Sequence, residues 1–176
     1  CSSCRAGNYQ GEQAKSFCSA CPKGYYQSAQ GQSECAKCNA GKYHTQTTQT
    51  TASSCVSCPK GYYQGEQAKS ACAKCGAGKY HTQITRTNEG SCLSCPKGYY
   101  QSDQGKSECD PCNAGKYHTQ VTRTSASFCV NCPANEWQDD EGSSSCKSAS
   151  GCSVNAAKSA CNACPKGKAG TGSCPN

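Results

Sequence analysis

The sequence has very little of the material from which an oily core is built. Leu, Ile, Val and Phe number eight in 176 residues: Leu93, Ile84, Val56, Val121, Val130, Val154, Phe17 and Phe128. There is one Trp and no Met. A globular domain of this length needs many more large apolar side chains, so a conventional hydrophobic core is excluded. No stretch approaches the ~18 apolar residues of a membrane-spanning helix. No Asn-x-Ser/Thr acceptor occurs, so N-glycosylation is not expected. The eleven acidic residues are scattered through loop tails, as at Glu12, Glu34 and Glu66. Their single run, Asp139-Asp140-Glu141, reads as a solvated turn before it reads as a calcium site. The glycines stand singly and build no phosphate cradle. No nucleophile–base constellation is visible, so the expectation is a non-enzyme without a cofactor. The net charge of +7 is spread along the chain. It suits polyanionic glycans or acidic surfaces and carries no nucleic-acid signature. The chain opens on Cys1 with no Met, basic segment or apolar leader, so we expect a processed or truncated piece.

Cysteine is present in excess, with 21 residues. That density is typical of secreted disulfide scaffolds and places the chain outside the cell or on its surface. The polar composition alone would suit disorder, but the cysteines are regularly spaced. Cys-x-x-Cys pairs begin at Cys1, Cys18, Cys35, Cys55, Cys72, Cys92, Cys109 and Cys129, and from Cys18 a 17+20 doublet repeats every 37 residues. Loops of 13 residues alternate with loops of 16. The third residue of each loop is Gly, or Asn135 in the last, and the fifth is aromatic, from Tyr9 through Tyr117 to Trp137. Gly, with Asn as second choice, permits positive φ or close backbone approach after the cysteine. The fifth-position ring reads as the miniature core of its loop, laid over a disulfide. Pro22, Pro59, Pro96 and Pro133 stiffen the loop openings. Beyond Cys146 the pattern decays, so residues 1–146 read as the tandem array and 147–176 as a degenerate terminal unit.

Tyr25, Tyr62 and Tyr99 each precede a fifth-position ring. In extended chain they point to the opposite face, which predicts an exposed contact stripe. The long-loop segment Tyr43 to Thr50, with its copies Tyr80 to Thr87 and Tyr117 to Thr124, reads as a β-strand. One of its alternating faces reads His, Gln, Thr, Thr in all three copies. That face is expected outside, where Thr48, Thr50, Thr85, Thr87, Thr122 and Thr124 are candidate O-glycan acceptors.

Paired Cys-x-x-Cys motifs also suit a zinc ribbon. Against zinc, these eight pairs run with no spacer between would-be metal domains, and the chain lacks the apolar residues such a domain packs around its metal. His44, His81 and His118 have no neighbouring carboxylate in sequence, so a metal site there is not expected. Disulfides are the better reading, and spacing leaves their connectivity open.

The string Cys-Pro-Lys-Gly-Tyr-Tyr-Gln, with a Gly-containing tail before Cys-x-x-Cys, resembles the ephrin-receptor-like cysteine-rich repeat. It is also similar to the single-disulfide module of tumour-necrosis-factor-receptor domains. The resemblance covers residues 1–146, most strongly 18–132. It implies a small disulfide-rich fold: an elongated tandem array of short β-hairpin loops with little regular secondary structure and no large core. It further implies that each loop closes on itself through Cys4–Cys18, Cys21–Cys35, Cys38–Cys55, Cys58–Cys72, Cys75–Cys92, Cys95–Cys109, Cys112–Cys129, Cys132–Cys146, Cys152–Cys161 and Cys164–Cys174. Cys1 is left over, to pair with an upstream repeat or another chain. The expected role is an extracellular stalk or filament subunit that self-associates or binds extracellular protein or glycan. A ligand-binding receptor ectodomain and a surface coat antigen are the alternatives.

Overall fold

Eighteen cysteines tie nine successive loops in the computed structural model, which describes residues 3–12 and 16–163. We number the loops in chain order. The disulfides are Cys4–Cys18, Cys21–Cys35, Cys38–Cys55, Cys58–Cys72, Cys75–Cys92, Cys95–Cys109, Cys112–Cys129, Cys132–Cys146 and Cys152–Cys161, with Cα–Cα distances of 5.5–5.8 Å. They are the pairs the family resemblance implies. The tenth implied pair, Cys164–Cys174, and Cys1 lie outside the described residues.

Each loop is a two-stranded antiparallel hairpin, and none of the nine sheets among the described residues has a third strand. Loop 2 pairs Tyr25–Tyr26 with Ala36–Lys37, and loop 7 pairs Lys116–Tyr117 with Val130–Asn131. The last hairpin, Cys152–Val154 with Cys161–Ala163, has three-residue strands. No α-helix occurs among the described residues. Each long loop contains one 3₁₀ turn before its closing cysteine, at Ala52–Ser54, Glu89–Ser91 and Ala126–Phe128. The three additional residues of the long loops are accommodated as this turn.

The hairpin opening follows from the glycine. In loop 2, Tyr25 N–H donates to Pro22 C=O at 3.1 Å, and Gly24 between them has φ +81°. That is a type II β-turn, which requires positive φ at its third residue. Asn135 holds the same place in loop 8 at φ +60°, as the sequence reading expects of Asn.

The chain falls into two units, Cys1–Cys75 with His81–Cys92 and Gly76–Tyr80 with Leu93–Asn176. In the first unit, successive loops are joined by a recurring set of backbone hydrogen bonds. Gly24 N–H donates to His44 C=O, Cys38 N–H to Gly24 C=O, and Thr48 N–H to Cys21 C=O, at 2.9–3.0 Å. The second unit repeats the set, with Gly98 N–H to His118, Cys112 N–H to Gly98, and Thr122 N–H to Cys95. Backbone groups left free by such short hairpins are thus satisfied by the neighbouring loop.

What is buried differs from the sequence expectation. The second cysteine of each pair is buried, at 0% exposure for Cys21, Cys58, Cys75 and Cys95. The fifth-position rings, Trp137 included, are only half-buried, so they are not the miniature cores expected of them. A hairpin two residues wide has too little area to cover a ring on all sides, whereas the second cysteine of a pair, its N–H bonded to a glycine carbonyl of the preceding loop, is small enough to be covered. The strand expected over Tyr43 to Thr50 is also corrected. Only Lys42–Tyr43 is strand, the chain bends at 46–48, and Thr48 has φ +63°. The bend brings Thr48 N–H to Cys21 C=O, a bond that outweighs β-propensity in so short a segment.

Candidate functional site

The sixth residue of each of loops 1 to 8 is the centre of its joint. Short loops place Gln there, at Gln10, Gln27, Gln64, Gln101 and Gln138, and long loops place His44, His81 and His118. Gln101 Oε1 accepts from Asp103 N–H at 3.0 Å, and its Nε2 donates to Glu108 C=O at 3.0 Å. Gln64 and Gln138 repeat both bonds. In long loops imidazole takes over. His118 Nδ1 accepts from Gln120 N–H at 3.3 Å, and its Nε2 lies 3.0 Å from Tyr99 C=O of the preceding loop. His81 Nδ1 accepts from Gln83 N–H in the same way. An accepting Nδ1 fixes the neutral ring with its proton on Nε2. His44, His81 and His118 are 4–8% exposed. Burial, and after it the Arg86 charge, holds the His81 pKa below its ordinary value. The invariant His is therefore part of the joint and does not belong to an outward face.

Invariant Thr has a similar cause. A Cβ on Gly7, Gly41 or Gly78 would lie 2.5–2.7 Å from the carbonyl oxygen of Thr48, Thr85 or Thr122, two loops further on. The methyl groups of these threonines face the same glycines. Thr50, Thr87 and Thr124 are exposed.

Tyr25, Tyr62 and Tyr99 are half-buried and do not form the exposed stripe expected of them. The Tyr99 ring lies against the backbone of Gly142, two loops on. Alternation along a strand locates a face, but only packing decides whether another loop covers it. The Asp139–Glu141 run is held by Lys147, whose Nζ bonds Asp139 and, at 3.2 Å, Asp140. The hydrogen bond from Lys147 holds the Asp139 carboxyl below the usual carboxylate range. Lys147 Nζ also stands 5.1 Å from the Trp137 ring centroid.

One open groove, about 190 Å³, lies in the second unit and is lined by Tyr117, His118, Thr119, Gln120, Arg123, Phe128 and Val130. Tyr117 pairs with Val130 across the hairpin. The Arg123 guanidinium carbon is 4.4 Å from the Phe128 ring centroid. Of these residues the sequence pattern marked Tyr117 as a ring position and His118 and Gln120 as part of the invariant face, and gave no binding role to Arg123 or Phe128. Phe128 was legible only as a departure from Ser54 and Ser91 at the corresponding places. Among the described residues, no three His, Cys, Asp or Glu side chains gather as they would around a metal ion, and no helix is long and apolar enough to cross a membrane.

Hairpins closed by their own disulfides and bonded loop to loop define a disulfide-rich extracellular repeat domain. The family model described as tyrosine-protein kinase ephrin type A/B receptor-like matches residues 12–55, 46–92 and 82–129. The three matches together span about two thirds of the chain, and the chain belongs to this ephrin-receptor-like family. A search of curated proteins gives no match.

Proposed function

We propose that the chain is a non-enzymatic structural repeat of a cell surface or appendage, a stalk or filament segment with a self-assembling or adhesive role. The observation that carries this reading is the repetition of one joint. Loops 1 to 8 open on the same turn and carry a Gln or His clamp at the same place, so similar surfaces recur along the sequence. Recurring surfaces suit head-to-tail contacts that propagate. Electron microscopy of native material tests it: filaments or a fibrous layer are expected, and isolated single ectodomains would overturn it.

A receptor ectodomain is the second reading. It draws support from the groove of loop 7, where the long loops diverge at Arg123 and Phe128. O-glycosylation is proposed at Thr50, Thr87 and Thr124, which are exposed. Thr48, Thr85 and Thr122 are less suited, because their methyl groups turn toward a neighbouring glycine. An intact mass equal to that of the bare polypeptide would overturn the glycan proposal.

A further inference from the structure

We propose that the groove of loop 7 binds a carboxylated sugar residue of an acidic glycan. Arg123 forms no ion pair among the described residues, and its guanidinium rests over the face of Phe128 at 4.4 Å. A guanidinium held on a ring keeps its forked donors pre-organised for a carboxylate. Beside it Phe128 and Val130 are 39% and 49% exposed. Exposed apolar groups next to an unpaired cation suit a ligand that has both an apolar face and a negative charge. Thr119 and Gln120, both exposed, add a hydroxyl and an amide for sugar hydroxyls. The groove is smaller than the roughly 300–1,000 Å³ of drug-sized pockets, which fits one sugar residue within a chain better than a whole small molecule.

The backbone around the groove argues against a peptide. Thr122 N–H already donates to Cys95 C=O, His118 C=O accepts from Gly98 N–H, and Arg123 C=O accepts from Gln101 N–H. An extended peptide finds these groups spent and cannot add a strand there. The side-chain hydroxyl, amide and guanidinium remain.

The other long loops serve as internal controls. Loop 3 carries Gln49 and Ser54 where loop 7 carries Arg123 and Phe128, and loop 5 carries Arg86 and Ser91. Tyr, His, Thr and Gln of the lining are the same in all three. Arg and Phe occur together only in loop 7. Phe128 is too exposed for this to be a packing requirement.

This inference goes beyond the structural reading, since a chain that never assembles would still bind. The test uses the full oxidised chain and trigalacturonate, followed by calorimetry and by amide chemical shifts. Shifts are expected within 117–130, with salt-sensitive binding. Arg123→Gln, the residue of loop 3, should weaken binding about tenfold or more, as loss of a charge-assisted pair does. Phe128→Ser, the residue of loop 5, should weaken it as well. Lys60→Gln, at an exposed lysine of loop 4, should leave it unchanged. The methyl-esterified trisaccharide should not bind. Equal binding by wild type and Arg123→Gln, an equal loss in Lys60→Gln, or equally tight binding of triglutamate would each overturn the proposal. So would no binding of trigalacturonate. Phe128 is exposed and Arg123 half-buried, and unaltered spectra elsewhere in each variant show that the fold is kept.

Discussion

Gly41 carries two constraints at once, a φ of +78° and the Thr85 carbonyl where a side chain would begin. Gly41→Ala should therefore cost roughly 3 kcal/mol, combining left-handed strain with overpacking against backbone. Asn135 already holds φ +60° with a side chain, so Asn135→Gly should change stability by no more than about 1 kcal/mol. Native-state hydrogen exchange of the two variants measures both, and an Ala variant as stable as wild type would refute the first. His81 makes the residue scale pH-dependent. Its pKa is lowered in the folded chain by burial and then by Arg86, from a usual value of 6.5. A lowered histidine pKa means that the unfolded chain binds the proton more readily. The stabilisation is thus complete above the unfolded value and is lost as pH falls through the folded one. Protonation would also take the Nδ1 lone pair from Gln83 N–H. We expect exchange protection around loops 4 and 5 to fall as the solution is acidified below about pH 6.5. His81→Gln, which copies the short-loop clamp, should flatten that dependence. A variant that keeps the full pH slope would exclude His81 as its source.

At the scale of the element, a hairpin with two-residue strands is not stable alone. Its disulfide and its bonds to the adjoining loops share the work. Replacing Cys95 and Cys109 by Ser should remove about 3 kcal/mol of loop-closure stabilisation in the chain-entropy model. The loss should be local, because a repeat contacts only near neighbours. Limited proteolysis should cut first within 96–108 while loops 1 to 3 resist. Cleavage spread evenly over the chain would show that the loops unfold as one. The long loops add a 3₁₀ turn of three residues and an imidazole in place of the Gln clamp to this element, and the added turn accounts for the 20-residue step within the 37-residue period.

For the whole molecule, the absence of an oily core places stability in the covalent links. Thiol titration of the denatured, unreduced protein should find none of the eighteen cysteines of loops 1 to 9 free. Reduction should abolish the exchange protection of all loops. Many free thiols accompanied by stoichiometric zinc would return the chain to the ribbon reading. Cys1 is open to pairing with an upstream repeat or with another chain: disulfide-linked ladders on non-reducing gels, lost in Cys1→Ser, are expected if it links chains, and a clean monomer would leave the upstream repeat as its partner.

Composition and spacing determined that cysteine cross-links replace a core, and placed a turn glycine at the third position with its Asn substitute at 135; that each loop closes on itself was implied by the family resemblance. Those features were legible because each is local, a spacing along the chain or a φ that one residue type tolerates. Only tertiary structure decided what the invariant long-loop residues do. His118 reads in sequence as an outward strand residue, yet it bonds to Tyr99 C=O in the preceding loop. Gly41 is required by Thr85, which stands two loops away in the first unit. Arg123 and Phe128 are five residues apart, and their contact depends on the 3₁₀ turn at Ala126–Phe128. The first two contacts form only when hairpins too narrow to satisfy their own backbone bond to their neighbours, and the third only when the long loop closes through its 3₁₀ turn.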